Sequence, residues 1–507
     1  MIAEMRRRDL LAGGLALPAF VVQRSSARTG RGRPATAYDS LLRPTVFEAG
    51  MRGWTLAERM AHHRVPGACV GILRDGAVVD IRGHGTRLAG ALAPIGSATL
   101  FSVGSISKVV TAALCLRLVA LGQLDLDLDV GRWLRRWRVP PGPGNDGGAI
   151  TLRMLLSHTA GFNVHGFADF APGAPLPTLA DTLAGAAPAT NSPLARVEPA
   201  GERARYSGGG YMLVQAVVED AMGESLDALA RAHVFAPLGM TRSSFSATLS
   251  PRWGDIAHAH DRAGRPATAP PGWQSFPELA ASGLWTCAED LLRLVAGLIR
   301  SHLRVRDPFL PPAIVEEMMT PVSPGLFGLG PRLAGVGSSA IFHHGGANDS
   351  YKAYIEGNLA RGDGLVILTN GANGDVLGDE IRNAVSDAYG WPGDWSVGTR
   401  PSPGSRLLAG YTGAYRRRPD QARELTGLLD TSFDHARLEI RQAGDRLDLH
   451  IEERVKPLAP LGGGRFVVPD AYVPAGTLQM EFKRAADRSV GSVVVRAAGG
   501  CLLFDRR

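Results

Sequence analysis

Lysine is nearly missing from this sequence. Of 55 basic side chains in 507 residues only four are lysines: Lys108, Lys352, Lys456 and Lys483. Cysteine is equally scarce. Cys69, Cys115, Cys287 and Cys501 stand far apart with no paired spacing, which fits neither a disulfide scaffold nor a zinc site and leaves them as small apolar residues. Beyond the N-terminal region no stretch reaches eighteen consecutive apolar residues, so no membrane span is expected once a signal is removed. No basic stripe with interleaved aromatics occurs, which argues against a nucleic-acid partner. The G-x-S-x-G elbow is absent too, which excludes an α/β-hydrolase serine. The net charge of +7 is mild, and residues 1–28 hold +3 of it, five arginines against Glu4 and Asp9.

What is there divides the chain into four parts. Arg6-Arg7-Arg8-Asp9-Leu10-Leu11 resembles a twin-arginine motif, and the apolar run from Leu10 to Val22 has the length of a signal core. Residues 1–28 are therefore read as an export signal and the protein as periplasmic or secreted. Residues 24–38 are polar and rich in Arg, Ser and Gly, as a linker is, and residues 29–51 are read as linker and N-terminal segment. Residues 52–398 carry a catalytic pattern. Pro401-Ser-Pro-Gly404 reads as a second linker, and residues 405–507 hold several strand-like runs, among them Leu438 to Arg441, Leu447 to Ile451, Phe466 to Val468, Leu478 to Phe482 and Ser492 to Val495.

Within the central part, Ala68 to Ile81 reads as two strands turning at Asp75-Gly76. A helix follows from Ser105 to about Leu121, with Val109, Ala113, Leu116 and Ala120 at helical spacing and Gly122 ending it. A second antiparallel set comes late: Ala340 to His344, Lys352 to Glu356 and Leu365 to Thr369, then a helix from about Asp375 to Tyr389. Some 250 residues of helical pattern and loops separate the two sets. The expected class is α+β, an antiparallel sheet built from both ends of the domain with a helical lobe inserted between them.

Lys108 lies three residues after Ser105. An arginine-rich chain has reason to keep lysine where an amine must give up its proton, which arginine does not do. Residues three apart on a helix share a face, so the amine is placed to take the serine proton, in the S-x-x-K pattern of serine acyl-transfer enzymes. The serine also stands at the positive end of the helix dipole, which favours a developing oxyanion. Arg205-Tyr206-Ser207-Gly208 opens an apolar helix over Met212 to Ala221 and sets Tyr206 at its entrance. His343-His344-Gly345-Gly346-Ala347 ends a strand, where paired glycines permit close backbone approach and leave amide N–H groups for an oxyanion.

In this order and on these elements the motifs resemble the class C β-lactamase and serine-type D-Ala-D-Ala carboxypeptidase family, which also contains esterases. The likeness runs from about Arg52 to Asp394 and includes Leu155-Leu-Ser-His158-Thr-Ala-Gly161, Pro237-Leu-Gly-Met240 and Ala281-Ser-Gly-Leu-Trp285. It implies a β-lactamase/transpeptidase-like fold followed by a small β-barrel-like domain that opens at Tyr411-Thr-Gly-Ala-Tyr415. It implies Ser105 as nucleophile, Lys108 as its proton partner, Tyr206 as proton shuttle, His344-Gly345-Gly346 as third motif, and the N–H groups of Ser105 and Ala347 as oxyanion hole. No cofactor or metal is implied. His258-Ala-His260-Asp261 has the flavour of a metal cluster but lacks a third group of ligands.

Two departures bear on substrate. Gly208 stands where β-lactamases of this family carry an asparagine, and His344 where they carry a lysine. Both losses weaken lactam recognition. A small-molecule ester or D-amino-acid peptide is the leading substrate, with β-lactam hydrolysis, or a penicillin-recognising sensor that turns over little, as the alternatives.

Overall fold

The first hairpin turns where Asp75 and Gly76 both take positive φ, 51° and 75°, the geometry that matches the twist of the strands it joins. These are β1 (Gly67–Arg74) and β2 (Ala77–Gly85). The structure is a computed structural model of the chain, and it describes residues 37–143, 148–322, 325, 327–393, 395–419, 437–451, 453–469, 476–487, 489–497 and 500–507. The export-signal reading of residues 1–28 lies outside the described residues.

Four more strands complete the main sheet: β3 (Arg332–Ala334), β4 (Ile341–Ala347), β5 (Lys352–Asn358) and β6 (Gly364–Thr369). Their order is β2-β1-β6-β5-β4-β3, every pair antiparallel. The ends of the domain meet at the β1–β6 ladder, Ala68 opposite Thr369 through Leu73 opposite Gly364. The expected sheet is present, and β3 is an addition, too short to leave a period-two pattern.

Alternation along β1 splits the core in two. Ala68, Val70 and Ile72 pack under α1 (Leu56–His63) and α5 (Gly374–Tyr389) with Leu56, Met60, Leu377 and Ile381. On this side a buried ion pair ties the two helices: Arg59 reaches both Glu380 oxygens at 2.6 and 2.7 Å, and His63 Nε2 lies 3.1 Å from one of them. Cys69 and Leu73 face the opposite core with α2 (Ile106–Ala120) and α4 (Ala288–His302). A Cβ on Gly71 would stand 2.6 Å from Leu292, so α4 lies directly on the strand.

Helical spacing predicts one apolar face for α2. Instead Ile106 through Leu116, and Leu118, are all buried, while Ala120 is exposed. This is a central helix wrapped by the inserted lobe. In that lobe α3 (Gly208–Met222) begins four residues earlier than expected, on three glycines of poor helix propensity. Ser207 Oγ accepts the Gly210 N–H at 3.0 Å and caps it.

The C-terminal part is a closed eight-stranded barrel from Gly413–Arg417 to Gly500–Arg506 with its own core, Leu447, Leu449, Met480, Val493 and Phe504 among it. The sequence reading missed Arg454–Gly462, because Pro457 and Pro460 demote a strand and the ladder shifts register at Pro460/Gly462. Cys501, read as a small apolar residue, is exposed, whereas Cys69, Cys115 and Cys287 are buried and free. Among the described residues no helix is long and apolar enough to cross a membrane.

Candidate active site

The loop from Val103 to Ser105 crosses the end of β4, and glycine is required on both sides of the crossing. A Cβ on Gly104, at φ 48°, would stand 2.7 Å from the Ala347 nitrogen, and one on Gly346 1.9 Å from the Val103 oxygen. Gly345 has open space instead, so of the paired glycines only Gly346 makes the expected close approach. Ser107 braces the loop: its Oγ donates to Gly104 O at 2.6 Å and accepts the Leu284 N–H at 3.0 Å.

Ser105 is partly exposed at the head of α2. One turn on, Lys108 is 2% exposed, and its Nζ sits 3.1 Å from Ser105 Oγ and 2.9 Å from the Ala281 carbonyl. The Ser105 N–H has no acceptor among the described residues. Register explains the second amide. Leu359 N–H donates to Ala340 O and Asn348 N–H to Tyr351 O, so even-numbered residues of β4 bond to β5. The backbone groups of Gly345 and Ala347 then face away from β5, past the end of β3, whose pairing stops at His343. The Ala347 nitrogen thus faces away from β5 and lies against the Gly104 backbone that leads into Ser105.

Tyr206 reaches this site by its ring. Lys108 Nζ lies 5.0 Å from the ring centroid and Arg332 Cζ 5.5 Å, and the rings of His158, His165 and His344 lie at 4.4, 4.9 and 6.2 Å. Its hydroxyl makes no hydrogen bond to a described residue. His344 is 2% exposed and its Nδ1 donates to the Gly345 carbonyl at 2.6 Å. Burial, then the charges of Arg332 and Lys108, lower its pKa to about 3. It is a neutral imidazole with an unpartnered Nε2, unlike the lysine it replaces.

Gly208 is also closed in, since a Cβ there would stand 2.9 Å from Phe167 and 3.2 Å from the His165 oxygen. Two buried carboxyls lie in this region, Asp169 at the strand end beyond Ala347 and Glu278 near it. Asp169 accepts the Asp349 N–H at 2.8 Å, and Glu278 precedes the Ala280-Ala281 segment that holds Lys108. Burial raises each to about 7.

All seven residues singled out in the sequence, Ser105, Lys108, Tyr206, His344, Gly345, Gly346 and Ala347, therefore meet in one place. The residues missed are Arg332 and Ala281. Arg332 is one of 51 arginines (55 − 4) and nothing in its surroundings marks it, while Ala281 acts through its backbone. The His258–His260 pair forms no metal site: His260 is spent on the Asn370 carbonyl and the Ala89 N–H, at 2.9 and 3.1 Å. No metal-binding cluster occurs among the described residues.

The antiparallel sheet, the inserted helical lobe and the serine–lysine pair at the head of a buried helix are those of the β-lactamase/transpeptidase fold. A family model described as Beta-lactamase matches residues 55–389, and the chain belongs to that family. A 104-residue segment is 35% identical to "Esterase EstB" of Burkholderia gladioli, covering 20% of this chain and 26% of that protein. Another of 241 residues is 30% identical to a "Beta-lactamase" of Lysobacter lactamgenus, covering 47% and 57%. The chain thus spans well under two thirds of the length of either relative. The octameric penicillin-binding protein homologue from Pyrococcus abyssi shares the fold, with TM-score 0.56 and 23% identity over 89% of this chain and 98% of that one.

Proposed function

We propose that this protein is a serine hydrolase that forms an acyl-enzyme on Ser105 and acts on small esters or D-amino-acid peptides. The observation that carries the reading is the 3.1 Å contact between Lys108 Nζ and Ser105 Oγ, with the Ala281 carbonyl holding the amine from its other side. Lys108 takes the hydroxyl proton as Oγ attacks the substrate carbonyl carbon. The carbonyl oxygen becomes an oxyanion and is held by the N–H groups of Ser105 and Ala347. Collapse breaks the bond to the leaving group, which departs with a proton delivered from Lys108 through Tyr206. Water then attacks the ester carbonyl, gives a proton back along the same route, and releases acid and free Ser105.

Three features favour esters over lactams. Gly208 is walled by Phe167, which an amide-reading side chain there would have to push aside. His344 is neutral and offers no charge to a carboxylate. The 104-residue match is to a protein named an esterase. Two observations support lactam hydrolysis as the second reading: the 241-residue match is to a protein named a β-lactamase, and Arg332, 5.5 Å from the Tyr206 ring, is a cation within the site.

A panel of p-nitrophenyl esters, D-amino-acid amides and a chromogenic cephalosporin, run on wild type and Ser105→Ala, tests the assignment. The short-chain esters are expected to give the highest kcat/KM and Ser105→Ala to lose all activities together. A cephalosporin kcat/KM at or above that of the best ester would put lactam hydrolysis first. We further propose that an N-terminal twin-arginine signal exports the enzyme, to the periplasm or out of the cell.

A further inference from the structure

Tyr206 is held by a residue that the reaction scheme does not use. The His158 carbonyl accepts the Arg205 N–H at 2.7 Å, and its Nδ1 accepts the Ser207 N–H at 3.1 Å. Its ring lies against that of Tyr206, centroids 4.4 Å apart and planes 37° from parallel. One histidine therefore grips the backbone N–H of Arg205 before Tyr206, the Tyr206–Ser207 peptide after it, and the ring between. We infer that His158 is a positioning residue for proton transfer, fixing where the Tyr206 ring stands relative to Lys108. The inference rests on the reading of Tyr206 as the proton-transfer group.

Packing alone does not account for an imidazole here. The side chain is 2% exposed and its ring also meets Tyr211 at 5.3 Å and Phe327 at 4.6 Å. An apolar ring would fill that space without burying polar atoms. Because Nδ1 accepts an N–H, the hydrogen is on Nε2, which is buried with no partner, a cost an apolar residue would avoid. What the imidazole adds is the acceptor for Ser207. The backbone is also unusual: His158 stands at φ 63°, a conformation sparsely used by residues other than glycine and retained where surrounding structure over-determines it. Burial foremost, then Lys108, His344, Arg332 and His165, keep the ring neutral and so keep Nδ1 an acceptor.

The test is a double-mutant cycle, read as kcat per active site after titration with a fluorophosphonate, so that misfolded protein does not count. His158→Phe keeps a ring and removes the acceptor. His158→Asn removes the ring but offers an acceptor at the Nδ1 position and tolerates the left-handed backbone. His158→Phe is expected to lower kcat about 10- to 100-fold with little change in KM, and His158→Asn to keep at least about a third of it. In a Tyr206→Phe background, His158→Phe should change kcat by less than about twofold, since both act through one group. Full multiplication of the two losses, or a His158→Phe kcat within about twofold of wild type, would overturn the inference. Wild-type kcat in Tyr206→Phe alone would instead overturn the role given to Tyr206, and that of His158 with it. If His158→Phe does not fold, His158→Asn carries the cycle, and its loss of more than about tenfold per site counts against the clamp.

Discussion

Gly104 and Ala347 touch: a side chain on the first would stand 2.7 Å from the backbone nitrogen of the second. This contact joins the loop that presents Ser105 to the strand end that presents the second oxyanion amide. Gly346 seals the junction from the other side against the Val103 oxygen. The strand and the loop are thus registered by the absence of two methyl groups.

Gly346→Ala is expected to push the strand off the loop and cost about 10²-fold in kcat, as loss of one oxyanion donor does. Gly345→Ala, with open space around it, should stay within about twofold of wild type. Steady-state kinetics on both variants with a p-nitrophenyl ester checks the contrast; equal losses would place the oxyanion hole elsewhere.

Lys108→Arg keeps the charge but cannot accept the serine proton. Its turnover should fall roughly 10²- to 10⁴-fold while the thermal melt stays near that of wild type. Retention of more than about a tenth of wild-type activity would show that another group is the base.

Gly208→Asn tests whether the missing asparagine is simply absent or sterically excluded. The new side chain must displace Phe167, 2.9 Å from the Cβ position, so the fold should lose about 1–3 kcal/mol by overpacking. Phe167→Ala in the same chain should recover part of that loss, measured by denaturant unfolding. Adding His344→Lys buries another amine beside Lys108 and Arg332 and is expected to lower stability further.

Glu278 gives the fold a pH dependence of definite sign. Burial raises its carboxyl from the ordinary 4.5 to about 7. Between those values the folded chain holds a proton that the unfolded chain has released, so this group's contribution to stability falls as pH rises through the window. Glu278→Gln should therefore melt higher relative to wild type at about pH 8 than at about pH 5. A difference that is flat or of opposite sign would mean the carboxyl ionises normally.

Much of this was legible in the sequence because the chemistry is local. Ser105 and Lys108 lie one turn apart on a helix, and Asp75-Gly76 marks its hairpin without reference to anything distant. What escaped depends on contacts between remote parts of the chain. Arg332 joins the site only through a three-residue strand opposite His343, and Ala281 serves through a carbonyl that any residue has. The helix after Tyr206 is longer than its sequence predicts, because three glycines argue against a helix that the Ser207 cap and the surrounding core then stabilise. The strand through Pro457 and Pro460 was hidden by the residues that usually end strands.

The export proposal predicts that Arg7→Lys with Arg8→Lys leaves the precursor in the cytoplasm, because such signals are read by a receptor. Fractionation and immunoblotting check this; unchanged periplasmic yield would point to another route.

An acyl-enzyme at one serine is the central intermediate of the proposed reaction. Wild-type protein mixed with a p-nitrophenyl ester, quenched in acid within the burst and digested for mass spectrometry, should carry the acyl mass on the peptide containing Ser105. Ser105→Ala should carry none. An acyl group on any other residue, or the same adduct in Ser105→Ala, would contradict the account.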